Sequence, residues 1–265
     1  MFKDLTIGQY LPGKSAIHRL DPRTKILSSL AFVIIIFLAR DWRGYAVLTA
    51  FAVVALAFSG VPFRFILRGL RPILFILGLT LILQVFLTPG QALFKIGPLT
   101  ATREGLTQGL YLSYRLVLLM VVTSLMTLTT SPIALTDGLE KLLNPFRRLG
   151  VPAHELAMMM TIALRFIPTL LEETDKIMKA QMARGADFES GNLMARAKSL
   201  VPLLVPLFVS AFRRADELAT AMEARCYRGG DQRTRMKELR LTPRDFAAGA
   251  LSAVFFAGVV WLRVG

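Results

Sequence analysis

Residues 72–94 read Pro-Ile-Leu-Phe-Ile-Leu-Gly-Leu-Thr-Leu-Ile-Leu-Gln-Val-Phe-Leu-Thr-Pro-Gly-Gln-Ala-Leu-Phe, without a single charge. A helix needs about 20 predominantly apolar residues to cross hydrocarbon about 30 Å thick, so this stretch is long enough to span a bilayer. Three more uncharged runs lie on either side of it, over 44–63, 116–136 and the slightly shorter 246–262. The run over 26–39 is shorter still, about 21 Å of helix. It is a span if Lys25 and Arg40 snorkel at its ends. It begins only after Lys25 and is followed by Arg-Asp-Trp-Arg, which is unlike a secretory signal peptide with a small-residue cleavage site. The expectation is therefore an all-α polytopic membrane protein with about five transmembrane helices.

Composition agrees. Hydrophobic residues make up 54% of the chain before glycine is counted, against about 45–50% with glycine included in soluble domains. The net charge of +14 would suit a nucleic-acid binder, but a mean hydropathy of +0.53 does not. One Cys excludes a disulfide framework, and two His beside it leave little to hold zinc.

Lys and Arg orient the spans, because cytoplasmic loops carry their excess. With the N-terminus inside, residues 1–25 hold five, 64–71 three and 137–245 eighteen, so 26 of the 32 face the cytoplasm. The expected arrangement has three parts: a signature segment with four spans over 1–136, a cytoplasmic region over 137–245, and a last span over 246–265.

The region 137–245 is too apolar for a solvated loop and too charged for plain spans. Residues 137–149 read as a short amphipathic helix at the interface. The apolar stretches 156–171 and 199–212 are interrupted by Arg165, Pro168, Pro202 and Pro206, and each runs into a charged amphipathic stretch. These align at an offset of 41: Asp175 with Asp216, Ile177 with Leu218, Ala180 with Ala221, Ala183 with Ala224 and Arg184 with Arg225. The repeat predicts two helices, the first ending at Ala183-Arg184-Gly185, where Gly suits a helix C-terminus. The second ends at Ala224-Arg225-Cys226, shortly before Gly229-Gly230. Two equivalent ends, each presenting an Arg that can pair bidentately with a carboxylate, point to two equivalent partner sites. The same spacing fits amphipathic coupling helices and helices packed in a membrane-edge bundle, and periodicity does not choose between them.

Gly8-Gln9-Tyr10-Leu11-Pro12-Gly13-Lys14-Ser15 matches the phosphate-loop pattern G-x-x-x-x-G-K-[ST]. That loop works between a buried strand and a helix N-terminus, yet only 1–7 precede it and Asp21-Pro22 follows soon after. A surface segment is the expectation here. Arg115, after Tyr111 and Tyr114, is expected to snorkel to the outer interface, and Arg165 to pair locally with Glu155 or Glu172. His18 and His154 have no partners at metal-like spacing.

The N-terminal stretch, read on through Ala16-Ile17-His18-Arg19-Leu20-Asp21-Pro22-Arg23-Thr24-Lys25, resembles the signature of the transmembrane T component of energy-coupling factor (ECF) transporters. In that family a tyrosine, a small-residue turn and Ser-x-hydrophobic-His-x-Leu-Asp-Pro-Arg-x-Lys lead into the first span. Ala183-Arg184-Gly185 and Ala224-Arg225-Cys226 look like its paired Ala-Arg-Gly coupling motifs. Cys226 departs from the usual Gly, so a different cap is expected at the second helix end. The resemblance runs over nearly the whole chain. It implies a prokaryotic cell-membrane scaffold bound to two cytoplasmic ABC-type ATPases and a small substrate-binding S component. It also implies that each motif Arg docks in an ATPase groove and that ATP-driven closure topples the S component for vitamin or transition-metal uptake. On this reading the chain has no catalytic residue, metal ligand or cofactor of its own. A self-contained secondary transporter is the contrasting class, but it is expected to carry buried acids near mid-membrane, and the five runs hold no Asp or Glu. A conventional ABC permease is expected to carry one coupling segment and pair with itself.

Overall fold

Asp21 and Pro22 open the first helix in the computed structural model, which describes residues 10–39, 41–96, 99–186, 188, 192, 194, 198–229 and 238–264. Arg40, Gly8, Gln9 and Gly230 lie outside the described residues. The elements in order are α1 (Pro22–Leu38), α2 (Trp42–Ser59), α3 (Phe63–Leu87), a hairpin of β1 (Ala92–Ile96) and β2 (Leu99–Thr102), α4 (Arg103–Thr129), α5 (Pro132–Leu143), a 3-10 turn (Asn144–Leu149), α6 (Ala153–Ala183), α7 (Val201–Ala224) and α8 (Pro243–Val264). They divide into two compact units, Gly8–Leu139 with Leu239–Gly265, and Glu140–Glu238.

The first unit is a helical bundle whose terminal helices run parallel in register. Asp21 N–H donates to Asp245 Oδ1 at 2.7 Å, Ser28 and Ser252 hydroxyls meet at 3.3 Å, and the Phe32 and Phe256 rings lie 6.4 Å apart. All three pairs share one sequence offset, 224, so α1 and α8 start at the same end. The end of α4 is there too: Lys25 Nζ donates to Thr129 O at 2.9 Å. Helix α4 thus ends, and α8 begins, at the same end of the bundle. The core is mainly aromatic and branched, with Phe32, Ile36, Tyr45, Leu48, Phe51, Val122, Phe256 and Val259 all buried. On the other side of α4, Gly105 and Gly109 let α3 approach closely. A Cβ on Gly105 would overlap the Gln84 carbonyl, and one on Gly109 would lie 3.0 Å from Leu81 Cδ1. Small residues four apart serve this purpose between membrane helices, where close packing must replace a hydrophobic driving force.

Five described helices are long and apolar enough to cross a membrane: Trp42–Ser59, Phe63–Leu87, Arg103–Thr129, Ala153–Ala183 and Pro243–Arg263. The chain is an all-α polytopic membrane protein, with the β1–β2 hairpin its one described sheet. Several boundaries differ from those expected from uncharged runs. The third helix starts at Phe63, so Arg64, Arg68 and Arg71 belong to it. With 25 residues it is about 38 Å long, enough to put its first turns beyond the hydrocarbon. The fourth starts at Arg103 and ends at Thr129, which leaves Thr136 of the 116–136 run inside α5. At 17 residues, α1 is shorter than these five, and the apolar start of α6 is continuous with its charged end through Pro168.

Lys25 does not snorkel. It is 8% exposed, and its ammonium also reaches Thr130 Oγ1 at 3.3 Å and His18 O at 3.4 Å. It caps the C-terminus of α4, where a cation meets the orphan carbonyls and the negative end of the helix dipole. Asp245 caps the start of α8 with the carboxylate half of a capping box, accepting from Thr242 N at 2.8 Å and Thr242 Oγ1 at 2.6 Å. Arg115 sits mid-helix in α4, where its Nε donates to Tyr45 Oη at 3.1 Å and its guanidinium lies 5.0 Å from the Phe37 ring centroid, both at the end of the bundle opposite the start of α1.

Candidate partner-docking site

The second unit is organised by α6 and α7, which pack antiparallel. Gln181 Nε2 donates to Pro202 O at 3.3 Å, Arg214 Nη2 to Glu173 Oε2 at 3.0 Å, and Tyr227 Oη to Met158 Sδ at 3.0 Å. Ser210 Oγ donates to the other Glu173 carboxylate oxygen. Glu173 and Arg214 are related by the same offset as the repeat, 41. In an antiparallel pair of equivalent helices, equivalent positions meet only at the middle, and here the two carry opposite charges.

It follows that the two motif ends lie at opposite ends of the pair. With 24 residues in α7, they are separated by about 36 Å of helix. Both helices finish in the same Schellman turn, in which the amides past the helix end reach back to its last orphan carbonyls. After α6, Gly185 N–H donates to Met182 O and Ala186 N–H to Gln181 O, both at 3.0 Å. After α7, Cys226 N–H donates to Glu223 O at 2.8 Å and Tyr227 N–H to Met222 O at 3.0 Å. Every partner is displaced by the offset of the repeat. The different cap expected for Cys226 is therefore corrected: at φ +55° it takes the left-handed conformation that Gly185 takes at φ +89°.

Ala183, Arg184, Gly185, Ala224, Arg225 and Cys226 are all exposed. Among the described residues, neither Arg184 nor Arg225 has a side-chain hydrogen bond or an ion pair. Each motif thus presents an unspent guanidinium beside a helix end, available to a carboxylate. Arg165 is exposed and makes no pair with Glu155 or Glu172 among the described residues, contrary to expectation.

His154 stands in the first turn of α6. One ring nitrogen lies 3.1 Å from Glu140 Oε1 and the other 3.1 Å from Tyr227 Oη. This bridge ties the residue two past Arg225 to α5 and α6. His18 organises the N-terminal turn, with Nδ1 2.6 Å from Ser15 Oγ and Nε2 2.9 Å from Leu11 O. Ser15 therefore opens a local turn, and the helix starts only at Pro22, so the described part of the phosphate-loop match lacks that loop's geometry.

Residues 13–236 match the CbiQ family, described as cobalt transport protein. Relatives named energy-coupling factor transporter transmembrane protein EcfT extend the match to nearly full length. One from Thermosediminibacter oceani is 61% identical over 98% of both chains. Another, from Clostridium kluyveri, is 59% identical over all of this chain and 98% of its own. One from Bacillus subtilis is 51% identical over 99% of this chain and all of its own.

The chain belongs to the T-component family of energy-coupling factor transporters. A T component is a transmembrane transporter subunit. Tyr227, Glu140, the bridging role of His154 and the Glu173–Arg214 pair are features of this one that residue patterns did not single out. Opposite charges at the repeat offset were the available signal for the last.

Proposed function

We propose that the chain is the energy-coupling scaffold of an ECF-type importer. It links ATP hydrolysis by two cytoplasmic ABC-type ATPases to movement of a membrane S component that carries a vitamin or transition metal. Residues 137–245 form its coupling region, and Ala183-Arg184-Gly185 and Ala224-Arg225-Cys226 are its two ATPase-docking ends. The N-terminus is cytoplasmic, as the Lys/Arg bias requires.

The observation that carries this reading is the pair of identically capped helix ends, each with an exposed Arg that has no side-chain partner among the described residues, held about 36 Å apart by one antiparallel pair. Two separate ATPases need two separate sites of the same kind. ATP-driven approach of the ATPases would act on the two ends together, and the Glu173–Arg214 contact lets α6 and α7 transmit that motion as a pair. Leu204, Val205, Phe208, Val209 and Phe212 leave an apolar surface exposed on α7, as suits contact with a membrane-embedded subunit.

Affinity purification of the tagged chain from native membranes tests the reading. Two ATPase polypeptides and a small membrane subunit are expected to co-purify. The chain alone is expected to bind neither vitamin nor metal, and substrate binding by the isolated chain would favour a self-contained transporter.

A further inference from the structure

A cleft of about 390 Å³ opens in the bundle unit, at the end where α1 and α8 begin and α2 and α4 finish. That size is typical of small-molecule sites. Its walls are almost wholly apolar, with Phe51, Val54, Phe58, Val122, Met126 and Leu251 among them. Phe58 is 60% exposed and Leu251 45%, so the cleft opens on the bundle surface, where acyl chains lie.

The two charged residues in its lining are both cations. Lys25 and Arg244 line the cleft and no carboxylate does. The nearby acids are already engaged: Asp21 accepts from Arg23 Nη2 at 2.9 Å, and Asp245 accepts from Asp21 and Thr242. The ammonium of Lys25 donates to the neutral oxygens of His18, Thr129 and Thr130, with the carboxylates of Asp21 and Asp245 acting on it from further off. Arg244 is exposed and, among the described residues, its side chain has no partner. Arg19, between the lining residues Ile17 and Leu20, is exposed with a guanidinium equally without a partner among them.

We propose that this cleft is a binding site for an anionic glycerophospholipid, one acyl chain lying between α1, α2, α4 and α8 and the phosphate meeting Arg244 and Arg19 in the field of Lys25. An apolar cleft whose rim carries Arg244 and Arg19, neither with a side-chain partner among the described residues, complements such a lipid at both ends, whereas an apolar partner helix would leave these arginines unmatched. The lipid ties the first and last helices to α4, at the end where α4 finishes. Its leaflet is cytoplasmic on the orientation proposed above, but binding itself does not depend on that orientation or on the ATPases.

Native mass spectrometry of the full chain in detergent, titrated with dioleoylphosphatidylglycerol or dioleoylphosphatidylcholine, tests the site. One phosphatidylglycerol is expected to be retained in preference to phosphatidylcholine. Arg244→Gln is expected to cut that preference by about fivefold, from the roughly 1 kcal/mol that each basic residue contributes at an anionic lipid surface. Ala248→Trp, which fills the cleft, is expected to lower retention of both lipids, while Arg213→Gln on α7 leaves it unchanged. A photoreactive acyl chain is expected to crosslink to 54–58 or 122–126. Unchanged preference in Arg244→Gln, unchanged retention in Ala248→Trp, or crosslinking of a partner helix from position 55 in place of lipid would overturn the proposal.

Discussion

Cys226 occupies the backbone position at the end of α7 that Gly185, its counterpart in the repeat, occupies at the end of α6, both with positive φ. The amide of the next residue closes the same turn in each case, Ala186 onto Gln181 and Tyr227 onto Met222. A side chain in this region costs about 1–2 kcal/mol through the clash of Cβ with the following carbonyl oxygen. Cys226→Gly is therefore expected to stabilise the purified chain by about 1 kcal/mol, and Gly185→Ala to destabilise it by a similar amount. Melting temperatures in detergent read both. A lower melting point for Cys226→Gly would mean that the thiol makes a contact worth more than the strain.

Lys25 is expected to matter for stability more than a residue at a membrane edge usually does. Lys25→Met keeps most of the apolar volume but leaves the Thr129 carbonyl without its buried donor, at a cost of about 1–3 kcal/mol. Thermal unfolding in detergent would show a clear loss. A melting point indistinguishable from wild type would return Lys25 to the interfacial role that its sequence position suggested.

The topology follows from the Lys/Arg asymmetry and from the shared end of α1, α4 and α8. In a Cys226→Ser background, Gln91→Cys and Arg263→Cys are expected to react with an impermeant maleimide from outside intact cells. Lys14→Cys and Arg228→Cys are expected to react only after the membrane is opened. Outside labelling at 228 would contradict a cytoplasmic coupling region.

Tyr227 is expected to position the second docking end. Removing its hydroxyl breaks the bridge to His154 and Met158, a loss of about 1 kcal/mol. In an Arg184→Ala background, which leaves Arg225 as the sole motif arginine, Tyr227→Phe is expected to weaken ATPase retention severalfold. In an Arg225→Ala background it should do nothing. Equal effects in both would mean general destabilisation.

Uncharged runs located the hydrophobic middles of α2, α3, α4 and α8, but not Ala153–Ala183, which is long and apolar enough to cross a membrane although Arg165 interrupts its apolar run, while α1 falls just short of that length. The repeat offset located both motif ends. Helix starts were not legible, because α3 and α4 extend beyond the hydrocarbon and carry Arg64, Arg68, Arg71 and Arg103 as helical residues. A charge ends an uncharged run without ending a helix. The antiparallel arrangement of α6 and α7 was also hidden, since periodicity gives the face of a helix and not its neighbour. Asp245 falls just before the uncharged run 246–262, and the spacing of Thr242-Pro243-Arg244-Asp245 was the available signal for its cap. The Cys226 cap looked different because a non-glycine residue rarely takes positive φ. Satisfying the carbonyls of Met222 and Glu223 decides that conformation.

The central claim is that Arg184 and Arg225 are the two points at which ATPases grip this scaffold. Truncating one partner of a buried, charge-paired contact costs about 2–5 kcal/mol, mostly in dissociation rate. A single damaged site can survive, because two ATPases that also bind each other keep the effective concentration high. The decisive measurement is pull-down of the ATPases and the S component by the double variant Arg184→Glu, Arg225→Glu, with size exclusion as the folding control. The account predicts a folded chain that keeps its S component, loses both ATPases and supports no uptake. Retention of both ATPases at wild-type salt resistance would contradict it, and the two arginines would then be surface residues of a packed helix pair.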